Sequence, residues 1–311
     1  MTPVGAPSRP PDTVDGVLVL DKPEGPTSHD VVAVVRRALG TRQVGHAGTL
    51  DPMATGVLVV MIGSATRLAR FFSDEPKAYD ATIRLGLETD SGDRTGIVVA
   101  RPDEVAWPAL QGVREALDQL RGTLEQVPPA LSAKWVGGAR AYNLARAGAE
   151  VPVRAASVTL HEAEVAAYEP PLLKLAVRCS AGFYVRALAR DLGRLLGCGA
   201  CLEALRRTAS ADFTLRQAVA LDLLVRDPEA AAGRVIPLGR LLPRVAAVRL
   251  TPAGERKARH GNDLTGGDLA GPPPSCPPPN LVRLLAGDGS LIGLARPARP
   301  PALLHPAVVL Q

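Results

Sequence analysis

The chain is poor in cysteine, lysine and aromatic residues, and it contains no long apolar run. Four cysteines in 311 residues exclude a disulfide framework. Cys198 and Cys201 have a zinc or redox spacing, but a closed tetrahedral site needs two more ligands. Cys179 and Cys276 stand apart, and the histidines at 29, 46, 161, 260 and 305 form no pair. No metal is expected, and the cysteines read as packed thiols. The longest nearly continuous apolar stretch, Val57 to Ile62, falls far short of the ~18 residues that span a bilayer. The N-terminal segment lacks the apolar core of a secretory signal. A soluble, cytoplasmic protein is the expectation.

What the chain does have is an ordinary globular balance, with 46% hydrophobic and 22% charged residues. That excludes wholesale disorder. At roughly 150 residues per domain the length suits one large or two ordinary domains. Basic residues outnumber acidic ones 36 to 31, a net charge of +5. Only Lys22, Lys77, Lys134, Lys174 and Lys257 are lysines; the other 31 cations are arginines. Arginine grips phosphate with a bidentate fork and stacks on bases, which suits RNA. GC-rich codon usage explains the same ratio, so charge alone decides nothing.

Along the chain, residues 1–15 are Pro-rich and polar and read as a flexible tail. Gly16 to Leu20 is a buried strand by its continuous apolar run. Ser28 is placed to cap a helix with Val31, Val32, Val35 and Leu39 on one face, ending at Gly40. A polar, Gly-rich loop from Thr41 to Thr55 leads to an apolar run at Val57–Ile62. Tyr79, Ala81, Ile83, Leu85 and Leu87 alternate as a half-buried strand that Tyr79 begins. Pro108 to Gly122 reads as a helix, with proline tolerated in its first turn. Leu173 to Cys179 alternates as a strand, and Val185, Leu188, Leu192 and Leu195 form a helical stripe closed by Gly197.

Helices and strands intermix without a regular βαβ repeat. The expected fold is α+β with a mixed, mainly antiparallel central sheet flanked by helices and loops. Residues 220–245 resemble a connecting helical region. Strand-like runs at Ala246–Leu250, Leu281–Leu285 and Leu291–Ala295 suggest a small β-rich second domain. The Pro-rich stretch 271–279 interrupts it as an extended loop.

The most informative segment runs from Gly45 to Gly56. Three glycines and a proline in twelve residues specify an unusual backbone path. Such a loop can present its single carboxylate, Asp51, at a fixed angle. Asp-Pro pairs also start ordinary turns, so the loop by itself leaves both readings open.

GVLVLDKPEGPTSHDVV followed by GHAGTLDPMATGVL resembles the TruB family of tRNA pseudouridine synthases. The resemblance continues through KAYDATIRLG, PPALSAKWVGGARAYNLARAG and CSAGFYVRALARDLGRLLGCGACLEALRRTASADF. It covers nearly all of residues 16–215. More loosely, residues 249–262 and 291–296 resemble a PUA-like RNA-binding domain. The resemblance implies a pseudouridine-synthase domain over 16–245 and a PUA-like domain over 246–311. It implies isomerisation of the T-loop uridine (U55) of tRNA, with no cofactor, metal or guide RNA, by a monomer.

By the same resemblance Asp51 is the essential aspartate, attacking C1′ or removing the C2′ proton. Arg186 is the arginine that pairs with it, and a buried carboxylate stays ionised only with such a partner. Taken alone, Arg186 reads as a surface arginine at a helix start. Tyr79 matches a tyrosine that stacks on the flipped uracil and can shuttle the C5 proton, and Tyr184 matches a second active-site tyrosine. Leu205 matches an apolar pocket residue, His46 a residue touching displaced nucleotides, and Lys22 a residue supporting the catalytic loop on the substrate side. A basic excursion at 127–152 resembles the segment that grips the T-arm, through Lys134, Arg140 and Arg146. Core packing or ordinary surface chemistry is the plain alternative for each.

Three rival functions share some of these features. A guide-RNA-dependent synthase subunit has the same loop and a PUA domain, but the T-arm-like excursion favours direct action on tRNA. An RNA-folding protein needs only the basic surface, whereas Asp51, Tyr79 and Arg186 together favour an enzyme. A glycosidase requires a second carboxylate, which the loop does not supply.

Overall fold

A computed structural model describes residues 14–129, 154–272, 281–299 and 302–310, and the backbone of 135–136 and 139–140. Among these, eleven strands form one sheet. Across it the order runs Val219–Ala220, β1 (Gly16–Lys22), β3 (Thr55–Ile62), Ala200–Ser210, β4 (Lys77–Leu85), Leu172–Cys179, Ala156–Glu169 and Gly122–Gln126. β1 pairs in parallel with Val219–Ala220, and β3 pairs in parallel with Ala200–Ser210; the other pairings are antiparallel. The expected mixed, mainly antiparallel α+β fold is therefore present.

Why β1 and β3 are continuously apolar is visible in their two faces. Successive side chains of a strand point to opposite sides. Leu18, Leu20, Leu58 and Val60 face α1 (Ser28–Ala38) and its Val31, Val32 and Val35. Val17, Val19, Val57 and Val59 face the other way, onto Phe72, Leu291, Leu294 and Leu310. Both faces are covered, so no polar alternation survives. A third apolar cluster joins Tyr79, Ala81 and Ile83 of β4 to Leu188 and Leu192 of the helix Val185–Leu195.

The helix cap is one residue earlier than expected. Thr27, not Ser28, caps α1, and its hydroxyl accepts from the Asp30 N–H while Asp30 bonds back, a reciprocal capping box. Ser28 turns inward instead. The loop expected over 41–55 contains a short strand, β2 (Val44–Ala47), antiparallel to β3. Only Val44 and Ala47 of it are buried, too brief a pattern to register in sequence. At the tail's end Asp15 accepts a hydrogen bond from Ser64.

Beyond residue 245, Ala247–Arg249, Val282–Leu285, Leu291–Pro297 and Leu304–Val309 form a separate four-stranded sheet. Its own core includes Val248, Leu264, Val282, Leu284 and Ile292. Leu291, Leu294 and Leu310 lie on its other side and complete the apolar layer over β1 and β3. No helix among the described residues is long and apolar enough to cross a membrane.

Candidate active site

The Gly45–Gly56 segment lies over the ends of β1, β3 and the strand Ala200–Ser210, and buried side chains hold it from below. Lys22, fully buried at the end of β1, donates to the carbonyls of Pro23 (3.0 Å), Pro52 (3.2 Å) and Ala54 (2.7 Å). Burial pulls its ammonium pKa down to about 8. The Gly25 N–H also donates to the Pro52 carbonyl at 2.9 Å. In the middle, the buried Ser28 hydroxyl accepts from the Leu50 N–H at 2.9 Å and donates to its carbonyl at 3.1 Å. This second role explains why Ser28 does not cap the helix.

At the other end Arg207, only 1% exposed, donates from Nε to the Val57 carbonyl at 2.7 Å and from Nη2 to the Gly48 carbonyl at 2.9 Å. Nη1 lies 3.5 Å from the Thr49 carbonyl.

Asp51 is thus presented from a loop anchored on both sides. Arg186 reaches it as a fork, Nε to Oδ2 at 2.9 Å and Nη2 to Oδ1 at 3.1 Å. Arg186 is 5% exposed and sits in the first turn of the helix Val185–Leu195, not at the surface. Its Nη1 donates to the Ser91 carbonyl at 3.0 Å, and Asp93 Oδ2 lies 3.8 Å from Nε. Asp93 is itself held by the Ser91 and Thr95 hydroxyls and the Thr95 N–H. Asp51, expected to be buried, is 35% exposed. The guanidinium covers one side of the carboxylate and leaves the rest open.

The open side faces a cavity of about 340 Å³, lined by Asp51, Tyr79, Tyr184, Arg186, Leu205 and Arg207 among others. Five predicted residues therefore converge: Asp51, Tyr79, Arg186, Tyr184 and Leu205. Tyr79 is 9% exposed, and burial pushes its phenol above the usual value while the charge of Arg207 opposes that shift. It is the third residue of β4, which Lys77 begins. Tyr184 is the residue before the helix, fixed by Gln126, whose side chain accepts from the Tyr184 N–H at 2.7 Å and donates to its carbonyl at 3.1 Å.

Two predicted residues do not line the cavity. Lys22 lies beneath the loop, with its ammonium on the loop's carbonyls. His46 sits on β2 opposite Val60. Lys134 and Arg146 fall outside the described residues. Arg140 contributes backbone to a two-stranded pair with Trp135, and the grip assigned to 127–152 falls mostly outside them too.

Sequence reading missed three polar residues of the site: Lys77, Asp93 and Arg207. Lys77 is buried on the cavity wall and donates to the Ser73 and Glu75 carbonyls. Burial and the nearby Arg207 lower its pKa to about 8. The one signal for Lys77 is its i, i+2 spacing to Tyr79, which places both on one face of a strand. The cysteines of the region are buried thiols, Cys179 pushed up to about 12 and Cys201 to about 11 by desolvation.

Known proteins resemble this chain over most of its length. The family model described as TruB family pseudouridylate synthase (N terminal domain) matches residues 36–185. That described as tRNA pseudouridylate synthase B C-terminal domain matches residues 186–242. The tRNA pseudouridine synthase B of Solibacter usitatus is 42% identical over 303 residues, covering 96% of this chain and 100% of its own. That of Thermobifida fusca is 45% identical over 292 residues, covering 90% and 94%. In fold, the chain is similar to the archaeal box H/ACA sRNP Nop10–Cbf5 complex. The TM-score is 0.72 at 22% identity, covering 96% of this chain and 87% of that one.

Proposed function

Since the chain belongs to the TruB family of pseudouridylate synthases, we propose that it isomerises the T-loop uridine (U55) of tRNA to pseudouridine. The observation that carries this reading is the Asp51–Arg186 fork, open on one side to a cavity that also holds Tyr79.

The target base lies inside a folded loop and must be extruded, at a cost of a few kcal/mol that stacking and hydrogen bonds in the pocket offset. Tyr79 and Leu205 supply an aromatic and an apolar surface for the uracil. Breaking the N1–C1′ bond develops positive charge on the sugar, and the Asp51 carboxylate stabilises or captures it. Asp51 either bonds to C1′ or takes the C2′ proton. The detached uracil turns over and C5 bonds to C1′, as the Asp51–C1′ bond breaks or Asp51 returns the proton to C2′. The proton on C5 then leaves, with the Tyr79 hydroxyl as its carrier, and N1 gains a proton. The net change is an isomerisation that consumes no redox equivalent.

Residues 246–311 act in this reading as a PUA-like RNA-binding unit, supported by their own sheet and core. Lys134, Arg140 and Arg146 add phosphate contacts to the T-arm, which give affinity without sequence choice. His46 contacts nucleotides displaced around the loop. The 42–45% identity to tRNA-acting relatives favours direct action on tRNA over guide-RNA dependence.

Incubating the protein with an unmodified tRNA transcript, without guide RNA, tests the proposal. Conversion of the T-loop uridine is expected, with Asp51→Asn inactive but still bound to tRNA. Asp51→Asn turning over within tenfold of wild type would remove Asp51 from the chemistry.

A further inference from the structure

Arg207 is the largest fully buried side chain of the described residues, and its place explains both ends of the Asp51 loop. Its backbone pairs in parallel with Gly56. A Cβ on Gly56, whose φ is +98°, would lie 2.2 Å from the Arg207 carbonyl oxygen. Its side chain then crosses to the loop's first half. A Cβ on Gly48, at φ +81°, would touch Arg207 Nη1 at 3.4 Å and Lys77 Cε at 3.6 Å. Both positions favour glycine by backbone conformation, and at Gly56 the close approach of Arg207 excludes any side chain.

The same guanidinium stands beside the second chemical group. In the antiparallel pairing of the strand Ala200–Ser210 with β4, Arg207 lies directly opposite Tyr79. Side chains so placed have Cβ atoms roughly 5 Å apart. Both line the cavity. The partners of the guanidinium on the loop and β3 are carbonyls, not a carboxylate. Its charge is therefore felt by its neighbours, and it lowers the pKa of Lys77 and opposes the rise at Tyr79.

We propose that Arg207 is a positioning residue of the reaction: from the strand position opposite Tyr79 it holds the Gly48 and Thr49 carbonyls, and so fixes Asp51 and Tyr79 relative to each other across the cavity. The inference rests on the pseudouridine-synthase reading above. Arginine suits the task because its fork directs donors to three carbonyls at once, whereas a lysine ammonium on a flexible stem cannot match that geometry. Lys22 performs the complementary task on the loop's second half, at Pro52 and Ala54.

The test compares Arg207→Met and Arg207→Lys in the full chain with wild type, on an unmodified tRNA transcript at saturating enzyme. Misplacing a catalytic group by about 1 Å costs on the order of a hundredfold. The single-turnover rate of Arg207→Met is expected to fall by about that factor, with tRNA affinity within about threefold because binding rests on phosphate contacts elsewhere. Arg207→Lys, keeping the charge and one carbonyl contact, is expected to recover roughly tenfold of the loss. Thermal unfolding establishes that each variant is folded.

Four results would overturn the proposal: a folded Arg207→Met within twofold of the wild-type rate; a loss confined to tRNA affinity; no recovery in Arg207→Lys; or failure of both variants to fold, which would make Arg207 a structural anchor only. A wild-type protein that leaves tRNA unmodified would instead overturn the functional reading itself.

Discussion

Arg186 and Asp51 are 135 residues apart in sequence and meet in a two-pronged ion pair, Nε to Oδ2 at 2.9 Å and Nη2 to Oδ1 at 3.1 Å. The pair joins the loop between β2 and β3 to the first turn of the helix Val185–Leu195. It fixes the angle at which the free side of the carboxylate meets the cavity.

A guanidinium fork fixes direction as well as charge, so replacing it with an ammonium is not conservative. Arg186→Lys is expected to lower the single-turnover rate at least about tenfold while leaving tRNA affinity nearly unchanged. Rapid-quench measurement of pseudouridine formation, beside a binding isotherm, separates the two. An equal rate would show that the fork's geometry is irrelevant to Asp51.

Tyr79 offers two separable properties, a ring and a hydroxyl. Tyr79→Phe keeps the ring that stacks on uracil, so binding is expected to survive. Positioned proton transfer is typically worth ~10²–10⁴-fold, and a loss of that size in the single-turnover rate is expected. An unchanged rate would reduce Tyr79 to a stacking surface.

The apolar periodicity of β1, β3, β4 and α1 was legible because each has unbroken spacing. So was the Gly45–Gly56 loop, whose glycines and proline stand out locally. The strand Ala156–Glu169 was not, because register shifts at Leu160/Glu162 and Val165/Ala167 break its alternation. The strand Ala200–Ser210 hides for the same reason, with shifts at Leu202/Ala204 and Arg207/Ala209. Arg207 sits beside one of those bulges, in an Arg-Arg pair that reads as surface charge. Arg206 does meet Asp21 in a half-exposed pair, while its neighbour is buried. Only tertiary pairing distinguishes the two. Asp93 and Lys77 escaped notice because their hydrogen bonds are short-range ones within a turn and to a helix end, while only the fold brings them to Arg186 and to the cavity.

Lys22 gives a prediction in pH. Folded Lys22 and Lys77 each release a proton near pH 8, whereas an unfolded lysine holds it to about 10.5. Between those values the unfolded chain binds more protons, so stability rises with pH through the window. Below pH 8 both states are protonated and the burial penalty is constant. Lys22→Met removes one of the two titrations and is expected to reduce that part of the slope by about half. It also takes the ammonium donor from the Ala54 carbonyl and leaves the Pro52 carbonyl to the Gly25 N–H alone, costing about 1–3 kcal/mol at pH 7. Denaturant unfolding at several pH values between 7 and 10.5 measures both. A slope identical to wild type would show that Lys22 does not titrate in the window.

The C-terminal sheet calls for substitution instead of deletion. Leu291, Leu294 and Leu310 are buried against Val17, Val19 and Phe72, and Arg67 donates to the Val309 carbonyl. Truncation near Pro243 would strip this layer from β1 and β3, so weakened tRNA binding would be mixed with lost stability. Arg256 and Arg259, in the helix Pro252–Arg259, are exposed and carry none of that packing. If this region grips tRNA, Arg256→Gln with Arg259→Gln should weaken binding and reduce the slope of log affinity against log salt by about one unit per lost phosphate contact. The single-turnover rate at saturating enzyme should stay at the wild-type value, because every cavity residue lies before residue 208. Binding isotherms at three or more salt concentrations give the slope. Wild-type affinity and slope in the double variant would place the RNA on another surface, and a slowed rate at saturation would mean that this helix acts on the catalytic site.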